Sequence, residues 1–117
     1  MLIRNSIQTI ATVAGSAALS GAIDFSGYSS GGFIAPDTLN ATTKIAFKVS
    51  ESLGGTFVPL FTSANALVEV TVTLNAAKGY ALPADLVGFP FFKIWCQAAG
   101  VDVNQTGDKL FTILEKS

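Results

Sequence analysis

The chain contains no histidine. That removes the commonest general base, the commonest metal ligand, and every Ser-His-Asp or Cys-His nucleophile arrangement. A single cysteine, Cys96, precludes an internal disulfide framework and a thiolate zinc site. Charge is scarce: 13% of the 117 residues, against about 25% in an ordinary soluble domain. The seven basic residues are scattered without a run or stripe, which argues against nucleic-acid binding. No apolar stretch approaches the 18 residues of a transmembrane helix, so no membrane partner is expected.

What remains is apolar and rich in turns. Half of the residues are hydrophobic, and eleven are glycine. A chain of 117 residues fits one domain, taken as 1–117, with a core of respectable size. Fifteen charges cover little of its surface, so polar uncharged residues and contacts with other subunits are expected to cover the rest. The N-terminal MLIRNSIQTIATVAGSAALSGA has a trace of a secretory leader, but Asn5, Ser6, Gln8, Thr9 and Thr12 interrupt it. The stretch reads instead as a strand running into a small-residue turn.

Short β-rich runs alternate with turn signals. Ile7 to Val13 places Ile7, Thr9, Ala11 and Val13 on one face. Gly21 to Phe25 offers a short strand with Ile23 and Phe25 inward. GYSSGG reads as a mobile turn, and Phe33 to Ala35 as a strand ended by Pro36. In KIAFKVS, Ile45, Phe47 and Val49 alternate with Lys44, Ala46, Lys48 and Ser50, a half-buried strand. ESLGGT is a hairpin loop in which Gly54 and Gly55 are free to take positive φ, and FVPLF is the return strand. In VEVTVTL, Val68, Val70, Val72 and Leu74 point inward. Asn75 to Gly79 is a turn, Tyr80 to Leu82 a strand, and PADLVGFP a single helical turn starting at Pro83. Phe91 to Gln97 and Lys109 to Glu115 are strands flanking a polar loop. The sum is an all-β antiparallel sandwich or jelly roll of about eight short strands.

Candidate chemistry is thin. Cys96 alternates with Phe92 and Ile94 and reads as an inert core thiol. The eight carboxylates lie far apart, most of them on outward strand positions or in loops, so no glycosidase-type pair is expected and the chain reads as non-enzymatic. Asp102, Asn104 and Asp108 in VDVNQTGD have the oxygens a calcium ion takes, but a polar turn is the simpler reading, and neither metal nor cofactor is expected. The aromatics are nine Phe, two Tyr and one Trp. Phe suits cores and dry interfaces better than sugar platforms.

The stretch FFKIWCQ, residues 91–97, concentrates the remaining interest. Phe92, Ile94 and Cys96 share one face and read as core. Phe91, Lys93 and Trp95 share the other, which is apolar for open water yet carries a lysine whose stem can lie along an aromatic. These three are the candidate interface residues, with Trp95 expected at or near an intermolecular surface. Cover by the PADLVGF segment is the competing reading.

Two features carry a family resemblance. The hairpin IAFKVSESLGGTFVPLF resembles that of galactose-binding-like jelly rolls. The order SGAIDFSG, FIAP, that hairpin, LPADLVGFPFFKIW and a final apolar strand is similar to small β-sandwich structural proteins of tailed bacteriophage virions, such as capsid decoration or cement proteins. The resemblance spans residues 5–115. Phe57 stands where galactose-binding-like domains commonly have Trp, and no ligand-binding residue carries over. It implies a virion structural protein at the capsid surface. Its partners would be copies of itself, for example in a trimer, and a major capsid or other virion protein. The alternative is a carbohydrate- or receptor-binding module of a fibre or tail, with Trp95 and Phe91, and Tyr28 or Tyr80, as its platform.

Overall fold

A computed structural model describes residues 6–42, 44–73 and 76–117. Among these residues, ten strands form two antiparallel sheets: β1 (Ser6–Val13), β2 (Ile23–Asp24), β3 (Ser30–Ala35), β4 (Lys44–Ser50), β5 (Val58–Pro59), β6 (Glu69–Thr71), β7 (Lys78–Ala81), β8 (Phe91–Ala98), β9 (Val101–Asp102) and β10 (Lys109–Lys116). The first sheet has the order β1-β10-β3-β7. The second has the order β2-β8-β4-β5, with β6 also paired to β4 and β9 to β8. This is a β-sandwich. Three strands, β2, β5 and β9, are only two residues long, and β6 is shorter than the VEVTVTL alternation suggests. Leu74 and Asn75 of that reading lie outside the described residues, as do residues 1–5.

The two sheets meet through the residues that alternation selects. Ile45, Phe47 and Val49 of β4 and Phe92, Ile94 and Cys96 of β8 face Phe33, Phe111 and Ile113 of the first sheet, all buried. Phe47 bridges the layers edge-on: its ring lies 6.4 Å from Phe33 and 6.0 Å from Phe92. Edge-to-face contacts of this kind add to area burial because the positive ring edge meets the negative face. Ile23 and Phe25 are buried as expected, and Phe25 packs edge-on against Phe92 at 5.6 Å. The PADLVGFP segment forms a 3-10 turn, Ala84–Leu86, that begins after Pro83 and drops Leu86 fully into the core.

Glycine chemistry corrects two readings. GYSSGG is not wholly a turn: β3 starts at Ser30, and Gly31 and Gly32 pair with Glu115 and Leu114. A Cβ on Gly31 would overlap the Leu114 carbonyl oxygen, so close strand approach, not mobility, explains this glycine. In the β4–β5 hairpin neither Gly54 nor Gly55 has positive φ. Gly55 instead leaves room for the hydroxyls of Ser50 and Ser52, which a Cβ would meet at 2.7 and 2.6 Å. Positive φ is found at Ala99 and Gly100, 51° and 80°, in the two-residue turn joining β8 to β9. That is the left-handed pair a tight hairpin of this hand requires.

Candidate interaction surface

Three residues of β8 were the expected contact group, and the structure separates them. Phe91 and Lys93 are half-buried, and the Lys93 ammonium lies 4.6 Å from the centre of the Phe57 ring. Trp95 is 8% exposed, so most of the indole is covered within the chain itself. Its cover is not the PADLVGF segment. Ala18 and Ala46 pack on it, with half-buried Leu19 and Leu67 around them, and Leu19 bridges to Trp95 through the backbone. The chain between β1 and β2 therefore lies along this sheet: the Cys96 N–H donates to the Ala18 carbonyl at 2.8 Å, and the Ser20 N–H to the Ile94 carbonyl at 2.9 Å. The indole N–H donates to Asp102 Oδ1 at 2.7 Å, and the Lys48 ammonium sits 4.8 Å from the ring centre. The group forms a small second core on the outside of the six-stranded sheet, closed by this chain's own residues.

The same outer face gathers much of the molecule's charge. Lys44 pairs with Glu69 at 3.6 Å and donates to Thr71 Oγ1 at 2.8 Å. Lys48, Lys93 and Asp102 share the face with them through the β4–β8 and β8–β9 registers.

The loop carboxylates do not converge. Asp102 accepts the Trp95 indole N–H, and Asp108 Oδ1 accepts the Gly15 N–H at 2.9 Å. Among the described residues no three of His, Cys, Asp and Glu cluster for a metal. Gln105, read from sequence only as part of a polar loop, proves a fully buried tie. Its amide donates to Thr42 Oγ1 at 3.0 Å and to the Val103 carbonyl at 3.2 Å, and its Oε1 accepts the Asn40 N–H at 2.9 Å. The Gln105 backbone bonds to Ala17 and Ser16, so one residue holds three loops together. Its position in a loop gave no periodicity to reveal this.

Glu115 corrects the expectation of outward carboxylates. It lies on the Phe111–Ile113 face of β10, fully buried, and its carboxyl oxygens make no hydrogen bond within the chain. Burial, with the negative charge of Asp24 adding, pushes its pKa from 4.5 up to about 7. Asp24 is held low by the Ser26 hydroxyl at 2.6 Å and the Ser26 N–H at 2.9 Å. Split carboxylates of this kind can mark acid–base pairs, but Glu115 is fully buried in the fold. Burial likewise pushes the Cys96 thiol up to about 12, far from a reactive thiolate. An open cleft of about 270 Å³ between Tyr28 and the Gly88–Pro90 turn is lined by no carboxylate or lysine.

The four-stranded sheet presents the opposite kind of outer surface. Its register places Ile10, Thr112, Ile34 and Gly79 in one row across all four strands. Thr12 and Leu110 lie to one side of that row; Gln8, Leu114, Gly32 and Ala81 lie to the other. Ile10, Ile34, Leu110 and Leu114 are 49%, 42%, 56% and 37% exposed. These rows hold no charged residue; Lys116 appears only at the strand ends. Threonine, glycine and alanine between the four aliphatics keep the surface flat. Sequence reasoning missed it because the face exists only once β1, β10, β3 and β7 are side by side.

The class of fold, an antiparallel β-sandwich, has a match among solved structures. One structure, described as the crystal structure of the SPBc2 prophage-derived protein YomS, superposes with a TM-score of 0.57 over 100% of this chain and 97% of that one, at 15% sequence identity. The chain is thus similar in fold to YomS. No family model matches the chain, and no curated protein matches it.

Proposed function

We propose that the chain is a non-enzymatic structural component of a phage particle, an auxiliary decoration or cement protein that stabilises a capsid shell through subunit contacts. The observation that carries this reading is the uncharged, flat, apolar outer face of the four-stranded sheet. Four strands spaced ~4.8 Å apart and about seven residues long give a footprint of roughly 400–500 Å². That is about half of a standard partner surface of ~800 Å², a contact that is weak singly and strong when repeated over a lattice. A fold shared with a prophage-derived protein supports a phage setting.

Two of the four aromatics named for the sugar-binding alternative are engaged within the fold. Trp95 is covered, and the Tyr80 ring stacks on Phe33 at 5.4 Å while its hydroxyl accepts the Thr73 N–H. Co-sedimentation with the shells of the phage that encodes the chain tests the proposal. The wild-type protein should pellet with them, and Leu110→Lys or Ile34→Lys should stay in the supernatant while melting normally. A wild-type protein that never associates with shells would overturn it.

A further inference from the structure

The sheet edges are not alike. An exposed strand edge is a row of unpaired N–H and C=O groups that invites another strand, and folded proteins blunt it with short strands, proline or lysine. In the six-stranded sheet the edge strands are β2, β5, β6 and β9, none longer than three residues, and β5 contains Pro59. In the four-stranded sheet, β7 has four residues and begins at Lys78. The remaining edge is β1, eight residues long, with the sequence SIQTIATV. It has no charge, no proline and no glycine. Only its far end is capped, where Val13 bridges to Ser20 and the Gly21 N–H reaches the Thr12 carbonyl at 3.4 Å. From Ser6 to Ala11, β10 is the only strand paired with it among the described residues, and that pairing uses the other edge.

We infer that β1 pairs antiparallel with β1 of a second copy, about a two-fold axis, joining two four-stranded sheets into one of eight. The occupant follows from the edge itself. An antiparallel pair of identical strands is self-complementary, so every outward N–H and C=O finds its equivalent across the axis. An uncharged edge meets its own copy without like-charge repulsion, whereas a charged partner would gain nothing from it. Residues alternate Ile7, Thr9, Ala11 on the inner side and Ser6, Gln8, Ile10 on the outer, so the joined sheets keep their apolar and flat faces aligned. Joining also doubles the uncharged outer face to roughly 800–1,000 Å², which brings it to the size of a standard protein contact. In this way the pairing deepens the proposed structural role and rests on it for its purpose. The pairing itself is measured without any particle, so the two can fail separately.

The test is the solution mass of the full chain by sedimentation equilibrium from about 1 μM to about 1 mM, with backbone amide exchange read at Ser6–Ala11. The mass should rise to twice 12.1 kDa, and exchange of these amides should slow as it does. The Gln8→Lys/Ile10→Lys double variant should remain at the monomer mass with an unchanged melting temperature. Ile34→Lys, two strands from the edge, and Leu53→Lys, in the exposed β4–β5 loop, should dimerise like the parent. A parent monomeric at every concentration, or exchange at Ser6–Ala11 that does not slow with concentration, would overturn the inference. A dimer broken by Ile34→Lys but not by the edge pair would also overturn it, by placing the contact on the sheet face. If the double variant does not fold, the exchange measurement on the parent decides alone.

Discussion

Truncation of Trp95 to alanine separates a structural indole from an interface indole. The side chain is 8% exposed and packs on Ala18 and Ala46 beneath Leu19 and Leu67. Replacing a buried Phe or Trp by Ala costs about 3–5 kcal/mol, through lost transfer free energy and the void left behind. The hydrogen bond to Asp102 adds little to this, because Asp102 is exposed and water replaces the indole N–H. For a domain of this size, 1 kcal/mol moves the melting temperature by about 3–5 °C, so Trp95→Ala should melt roughly 10–25 °C lower. Trp95→Phe keeps most of the packing and should lose about 1–2 kcal/mol. Calorimetry of both variants, beside sedimentation of each below its melting temperature, gives the comparison. Stability should fall in the order parent, Phe, Ala, with association intact wherever the protein is folded. A Trp95→Ala protein that melts within a few degrees of the parent but no longer associates would refute the reasoning. It would return Phe91, Lys93 and Trp95 to the role their alternation suggests.

Gln105→Ala leaves the Asn40 N–H and Thr42 hydroxyl without their buried partner and should destabilise by about 2–3 kcal/mol in urea unfolding, with Gln105→Glu no better because it buries a charge. Glu115 has a folded pKa near 7, above the unfolded value of about 4.5. The folded state therefore holds a proton that the unfolded state has released, so stability falls as pH rises from about 4.5 to about 7 and is flat beyond. Glu115→Gln should remove that part of the pH dependence, which melting temperatures across pH 4 to pH 8 would show. Ala99 sits at φ 51° in the turn before Gly100, so Ala99→Asn should raise stability by roughly 0.5–1 kcal/mol in the same unfolding assay.

Where one strand carries its own pattern, the sequence is a good guide. KIAFKVS and FFKIWCQ each alternate cleanly, and Ile45, Phe47, Phe92, Ile94 and Cys96 all lie in the core. Period two also puts Glu115 with Phe111 and Ile113; the general preference of carboxylates for water was weighed above the register, and the register prevailed. The cover of Trp95 was hidden for a different reason. The segment GSAALS looks like a flexible turn by composition, but Ala18–Ser20 pair with the edge of β8 beside Trp95, and Ala18 and Leu19 pack against the indole. Gly31 was read for mobility when it serves close approach. The uncharged outer face and the unblunted edge of β1 were not legible at all. Both depend on strand order, which places residues 10, 34, 110 and 114 together although nothing local links them. The asymmetry of charge between the two outer faces likewise emerges only from topology.

The central claim is that this sandwich is a building component that works through its four-stranded sheet in an assembled particle. Cryo-electron microscopy of gradient-purified phage particles from the source of the chain's gene tests it most directly. The account predicts regular density for the sandwich on the shell, with Ile10, Ile34, Leu110 and Leu114 turned toward the particle. Particles without the protein, or with it held by the charged face around Lys44, Lys48 and Lys93, would contradict it.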